Sequence, residues 1–219
     1  MSLTSSAPAP TATSTTPTVR EQVDRLIALG LPELAGISAD ELRSHAAELR
    51  GGARSILVVH PCLVPASRLV PLLSRAGRPG FVVSDFTDLD DFAPLDGIDI
   101  PARPLYLVHE VERGDELRNW SPDEALPEIT SRGRRPLTVN EGVSWPLQQP
   151  DQLQPGFCAM TIGSRLRTPA GDLDPRTPAI WISGGTGRDG RTRRGAPKLG
   201  WCWAANRHTW LGFASAAPC

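Results

Sequence analysis

Pro197-Lys198-Leu199-Gly200-Trp201-Cys202-Trp203-Ala204-Ala205-Asn206-Arg207-His208-Thr209-Trp210-Leu211-Gly212-Phe213 carries three of the six tryptophans of the chain, together with its single lysine. Tryptophan brings a large apolar body and an N–H that wants a partner, so the block is either the keystone of a core or the wall of a site. Leu199–Ala204 and Thr209–Ala214 read as strands joined by a tight turn at Ala205–Arg207, across which Cys202 and His208 would meet. Side chains alternate along a strand, which places Trp201 and Trp203 on one face. Packing that face onto helices is the simplest account of it.

Two further strands lie upstream, at Phe157–Ile162 and Ala179–Ser183. They are separated by the turn-rich connectors Leu166–Pro178 and Gly184–Pro197. This half therefore reads as antiparallel sheet. The first half is different. Ser/Thr-x-x-Glu boxes at Thr18, Ser38, Ser121 and Thr138 each offer a hydroxyl to the amide three residues on, and a Glu that reaches back to the cap. They predict helices over 19–29, 38–50, 122–132 and 139–148. Pro122 suits a first helical position. Gly30 and Gly51-Gly52 suit helix ends.

Between these helices, Ser55–Val59, Phe81–Val83 and Leu105–Val108 are short apolar runs of the kind buried on both faces. A short helix over Ser67–Arg75, interrupted by Pro71, separates the first two. Strand, helix, strand in that order predicts one parallel crossover. The fold class is thus α+β: a mixed sheet with a short parallel part and antiparallel C-terminal strands, with helices packed on it. Residues 19–219 form one domain, and 1–18, rich in Ser, Thr, Pro and Ala, is expected to be a disordered tail.

With 219 residues the chain has room for one sizeable domain or two small ones. Hydrophobic residues at 40% and charged residues at 21% are ordinary for a soluble globular protein. A formal net charge of −1 supplies no bulk field toward nucleic acid or an anionic membrane, so any such binding must come from a local patch. There is no strong nucleic-acid signal. No run approaches the roughly 18 apolar residues of a membrane helix. Met1–Thr18 has neither charge nor an apolar stretch, unlike a signal peptide. The expected compartment is the cytoplasm. Cys62, Cys158, Cys202 and Cys219 form no C-x-x-C pair and are expected as free thiols, the first three buried as small hydrophobes. The bias toward arginine over lysine reads as a high-GC genome.

Gly185-Thr186-Gly187-Arg188-Asp189-Gly190 matches G-x-G-x-x-G after a strand. A dinucleotide site also needs a helix opening there, and Arg191–Pro197 has no helical period, so that reading fails. The same loop carries Arg188, Arg191, Arg193, Arg194 and Lys198. Glycine-rich backbone with arginine can hold phosphate by bidentate hydrogen bonds. The bland alternative is a solvated hairpin tip. Trp201 and Trp203 beside the loop could stack on a base or sugar.

His60 and His109 each end a predicted strand, and Glu110 and Cys62 stand close by in sequence. If the strand ends met, these groups could bind a metal. A Cys202–His208 pair would allow thiolate chemistry. Asp85, Asp88, Asp90 and Asp91 read best as a polar turn with Phe86, Leu89 and Phe92 facing inward. No metal and no cofactor is assigned.

The stretch Pro197–Ala204 with Asn206–Gly212 resembles the C-terminal signature PKLGWCWAxNRHTWLG of an uncharacterised actinobacterial family of unknown function. Ser121–Ala125 and Pro136–Thr138 look like other parts of it. The resemblance implies no activity. The leading expectation is a cytosolic ligand-binding or accessory domain for an anionic or phosphate-bearing partner, small molecule or protein. Its binding residues would be Arg188, Arg191, Arg193, Arg194, Lys198, Trp201, Trp203, Asn206, Arg207 and His208. The alternatives are a small enzyme using Cys202/His208 or His60/His109/Glu110, and a protein–protein interaction module exposing Trp120 and Trp145.

Overall fold

The structure, a computed structural model, describes residues 17–218 except for the side chain of Arg188. The expected tail up to residue 16 and Cys219 lie outside the described residues. The chain opens with α1 (Val19–Ala28), α2 (Leu31–Ala35) and α3 (Ala39–Ala46). It continues through β1 (Ser55–Val59), α4 (Ala66–Leu69), β2 (Ser74–Arg75), β3 (Arg78–Pro79), β4 (Phe81–Val82), β5 (Ala93–Pro94) and β6 (Leu105–His109). Then follow α5 (Pro122–Ser131), β7 (Arg135–Pro136), α6 (Val139–Gln148), β8 (Cys158–Met160), β9 (Ser164–Arg165), β10 (Arg176–Ile182), β11 (Pro197–Trp203), β12 (Leu211–Phe213) and β13 (Ser215–Ala216).

The local capping chemistry places the main helices as expected. At α1 the Thr18 hydroxyl accepts from the Glu21 N–H, and the Glu21 carboxylate accepts from the Thr18 N–H at 2.7 Å. Ser121 and Glu124 repeat the exchange at α5. The Ser38 hydroxyl caps α3, which ends at Ala46 rather than 50. Gly30, at φ +84°, ends α1 but also turns the chain directly into α2, a helix with no capping signal in the sequence.

The sheet is mixed, and the domain is α+β. Five strands run in the order β12-β8-β10-β11-β4. The β8–β10 and β10–β11 ladders are antiparallel, and the β12–β8 and β11–β4 ladders are parallel. Two expectations about connectivity fail. The predicted parallel crossover from Ser55–Val59 to Phe81–Val83 does not form, because β1 pairs antiparallel with β6 in a separate two-stranded sheet. Pro71 ends the helical path at a 3₁₀ turn, Val70–Leu72, so no crossover helix is long enough to carry the chain back over a sheet. The expected hairpin between β11 and β12 also fails, since β10 and β8 lie between them. The connector is pinned to the start of α5 instead: the Ala204 carbonyl accepts from the Asp123 N–H at 3.1 Å, and the His208 carbonyl from the Asn119 N–H at 3.0 Å.

Helices cover both faces of the five-stranded sheet. Ala125 and Ile129 of α5 pack with Cys158, Met160, Ala179, Leu211 and Phe213 on one. On the other, α6 is buried along its whole length, and Val139, Val143 and Leu147 join Leu57, Val59, Ile180 and Leu199. Gly142 allows that approach, since a Cβ there would lie 2.1 Å from a methyl of Thr161.

The second edge of β1 has no strand partner. Side chains take its place. The Gln22 amide accepts from the Leu57 N–H at 2.7 Å and donates to the Ser55 carbonyl at 2.8 Å. The Ser144 hydroxyl accepts from the Val59 N–H, and Asn140 donates to the Val59 carbonyl. All three side chains are buried. Backbone groups buried without such partners would be costly.

The acidic turn after β4 packs as the sequence implied. Phe86, Leu89 and Phe92 are buried. Asp88 and Asp174 both bind Arg176, at 2.6 and 2.9 Å, and the guanidinium lies near the Phe86 and Phe92 rings. Hydrogen bonds from Arg176 hold both carboxyls below the usual aspartate range. Their contribution to stability is present above the unfolded aspartate pKa of about 4 and is lost as pH falls through the depressed folded values. Arg176→Gln is expected to lower stability at neutral pH and to flatten the acid limb of the stability curve below about pH 4; urea titrations across that range check it. Gln22→Ala is expected to cost about 3 kcal/mol, because it strands two buried backbone groups. The urea midpoint should fall with the slope unchanged.

Candidate functional site

The sequence from Ser183 to Lys198 closes on itself at the tip of the β10–β11 hairpin. Ser183 and the loop's far side exchange backbone hydrogen bonds, Ser183 N to Ala196 O at 2.9 Å and Gly195 N to Ser183 O at 2.8 Å. The two arms touch at Gly185, which has φ +70°, where a Cβ would stand 2.4 Å from that of Arg194. Two 3₁₀ turns, Gly187–Asp189 and Arg191–Arg193, fill the loop where a dinucleotide site would need an α-helix.

Beneath the loop lies an ion-paired floor. The Ser183 hydroxyl accepts from the Gly185 N–H and donates to Asp189 at 2.7 Å. Asp189 also takes the ammonium of Lys198 at 2.7 Å, with both side chains largely buried. Lys198 pairs across the ladder with Trp181, and its Nζ sits 4.7 Å from the indole centroid. Gly200 makes room for that ring, since a Cβ there would come within 2.7 Å of the Trp181 edge. Trp181, Trp201, Thr186, Arg193 and Lys198 line a cleft of about 240 Å³ together with two carboxylates, Asp189 and, just after β4, Asp85.

The rim of the cleft is basic. Arg193 lies over the Phe81 ring at 4.3 Å. Arg78 of β3 donates to the Thr192 carbonyl, and a Cβ on Gly195 would lie 4.0 Å from both the Arg75 and Arg78 side chains. Arg191 and Arg194 are exposed on the loop. No ion pair joins Arg75, Arg78, Arg191, Arg193 or Arg194 to a carboxylate among the described residues.

The structure divides the residues singled out from sequence into two groups. Arg193, Lys198 and Trp201 line the cleft, Arg191 and Arg194 are exposed on the same loop, and the Arg188 side chain lies outside the described residues. Trp203, Asn206, Arg207 and His208 stand at the opposite end of β11. There Arg207 pairs with Glu124, and His208 packs on Trp210 at 5.1 Å. Trp201 and Trp203 are in edge contact, with centroids 4.6 Å apart. Only Trp201 reaches the core; Trp203, at the last pair of the ladder opposite Arg176, is 44% exposed. Sequence reasoning missed Arg75, Arg78 and Phe81. Only the parallel ladder that sets Phe81 beside Lys198 brings them in.

The His60/His109/Glu110 constellation does not assemble. In the β1–β6 ladder Ser55 faces His109 and Val59 faces Leu105, so His60 and His109 lie at opposite ends, about 17 Å apart at ~3.4 Å per residue. His60 instead accepts from the Cys62 N–H and meets the Tyr106 ring edge-on, while Glu110 pairs with Arg54. No cluster of three or more His, Cys, Asp or Glu side chains suited to a metal occurs among the described residues. The chain turns after β11, the Asn206 N–H donating to the Trp203 carbonyl at 3.0 Å, and no hydrogen bond joins Cys202 to His208 among the described residues. Burial also pushes the Cys202 and Cys158 thiols up, away from thiolate. Cys62, expected buried, is exposed.

A model of a family of unknown function (DUF5701) matches residues 25–219. The chain belongs to that family. No curated protein and no solved structure matches it. The region matched to DUF5701 contains every strand of the sheet and the whole cleft. No helix among the described residues of this DUF5701 chain is long and apolar enough to cross a membrane. Lys198→Met should leave Asp189 charged and short of its main partner, at a cost of about 3 kcal/mol in urea unfolding. A cost near zero would mean that water replaces the ammonium.

Proposed function

We propose that this DUF5701 chain is a ligand-binding or accessory domain that recognises an anionic or phosphate-bearing partner through the Gly184–Lys198 loop. The observation that supports it is a group of arginines on and beside this loop that have no carboxylate partner among the described residues. Elsewhere Arg43, Arg54, Arg113, Arg132, Arg135, Arg167, Arg176 and Arg207 each have an acidic partner, while Arg25, Arg50 and Arg68 donate to backbone carbonyls. Around the loop Arg75, Arg78, Arg191, Arg193 and Arg194 crowd together without one. Like charges held close repel, and an incoming anion relieves that repulsion while gaining bidentate hydrogen bonds. In a chain of net charge −1, such a patch is local and gives direction to binding. We place the protein in the cytoplasm of an actinobacterium, where its thiols stay reduced.

Replacing Arg191, Arg193 and Arg194 together with Glu is expected to weaken binding of inorganic triphosphate by a factor of ten or more. The melting temperature should stay within a few degrees, because these side chains are exposed. Calorimetric titration of both proteins tests this. Equal affinities, or no binding by the native chain, would overturn the proposal.

A protein–protein role draws on a different surface. Trp120, Trp203 and Trp210 are all exposed, and the connector that runs from the second to the third is hydrogen-bonded to the segment that carries the first. Trp145, also considered for that role, is buried.

A further inference from the structure

A second pocket lies at the opposite end of β11 from the arginine loop. Arg118, Asn119, Trp120, Glu124 and Arg207 line about 330 Å³ there. The backbone that presents them is tied down. The Asn119 N–H donates to the His208 carbonyl at 3.0 Å, the Trp120 N–H donates to the Leu117 carbonyl at 3.1 Å, and Ser121 caps the helix that carries Glu124. Asn119 stands at φ +64°, a left-handed conformation that asparagine tolerates better than most residues. Its carboxamide makes no hydrogen bond among the described residues, so both its donor and its acceptor are open to a ligand. Trp120 is 38% exposed, and no ring or guanidinium among the described residues lies on its indole.

The charges of this pocket are already paired. Arg207 binds one oxygen of Glu124. The other accepts from the Ser121 N–H at 2.9 Å and from the Ser121 hydroxyl at 3.0 Å. Arg118 stands 3.8 Å from Asp115 and 4.6 Å from the centre of the Phe157 ring. An anion would have to displace a carboxylate to gain a guanidinium, and a cation would find both Glu124 oxygens taken. A wholly apolar molecule would meet one indole and desolvate the polar groups around it. What suits the lining is a neutral molecule with an apolar face and a rim of groups that both donate and accept. A pyranose ring is built that way, with C–H bonds on its faces and hydroxyls around its edge.

We infer that this pocket binds a neutral saccharide, with a sugar ring against Trp120 and hydroxyls hydrogen-bonded to the Asn119 carboxamide and the Arg207–Glu124 pair. The site is independent of the anion-recognising loop.

The test titrates the full chain with glucose, maltose and cellobiose, by calorimetry and by tryptophan fluorescence. At least one of them is expected to bind and to shift the indole emission. A disaccharide that binds more tightly than glucose would assign the ring to a glycan chain, and the reverse to a free monosaccharide. The affinity should hold when sodium chloride is raised from about 50 to about 500 mM, because no net charge is met. Trp120→Ala should weaken binding about tenfold or more, through the apolar area it removes. Trp203→Ala takes away an exposed indole that does not line the pocket, and should change nothing. Asn119→Gly keeps a residue suited to positive φ, and should weaken binding about threefold or more while the melting temperature stays within a few degrees. If none of the three sugars binds, if binding survives Trp120→Ala, or if it falls steeply with salt, the saccharide assignment is overturned. It is overturned as well by an indole signal that follows protein concentration in place of sugar, which would give this face to a second copy of the chain. Trp120→Ala should leave the affinity for inorganic triphosphate as it was, so the two sites are tested apart.

Discussion

Glu141 is a carboxylate with no exposure at all, on α6, the helix that packs against both β1 and β10. A buried charge of this kind is tolerated only when each of its lone pairs is met. Arg135 binds both oxygens at 2.8 Å, the Thr138 N–H donates to one of them, and the Tyr106 hydroxyl donates at 3.1 Å. These contacts come from β7, from the cap of α6 and from β6, so the carboxylate fixes where α6 lies between its neighbours. Burial, and then the negative charge of Glu141, push the Tyr106 phenol far above its ordinary range and keep it a donor. The cluster ties the β1–β6 pair to α6, whose Val139, Val143 and Leu147 meet Ile180 and Leu199 of the five-stranded sheet. The cleft stands at the edge of that sheet.

The same helix completes β1. An unpaired strand edge is a liability that proteins cover or blunt. Here Gln22, Ser144 and Asn140 reproduce parts of the ladder a third strand would have made. A sheet of two strands is marginal by itself, and packing against a helix is what makes it stable. The short pair β1–β6 survives because polar side chains of α1 and α6 meet its backbone while the apolar ones fill the core beside it.

Helix positions were legible because capping is local: Thr18 needs only Glu21, and Ser121 needs only Glu124. Strand positions were legible too, since apolar runs mark burial. Strand partners were not. Nothing in Ser55–Val59 says that Leu105–His109 lies beside it and runs the other way, and that direction alone separates His60 from His109. Nor does Leu211–Phe213 announce that it crosses to the far edge and runs parallel to β8. The candidate site shows the same division. Arg191, Arg193, Arg194, Lys198 and Trp201 fall close together in the chain and could be picked out as a unit. Arg75, Arg78 and Phe81 join them only through a parallel ladder between distant segments. Trp203 and His208 were grouped with the loop by proximity in sequence, and a strand's length takes them away.

Arginine supplies nearly all the positive charge of this chain, and Lys198 is its one lysine. Reagents that acylate amines therefore have a single side-chain target, and it lies on the floor of the cleft against Asp189. The protein carries its own reporter. Any event that opens the loop, or seats a molecule in the cleft, changes how fast that one amine is labelled, without a dye, a tag or an introduced cysteine.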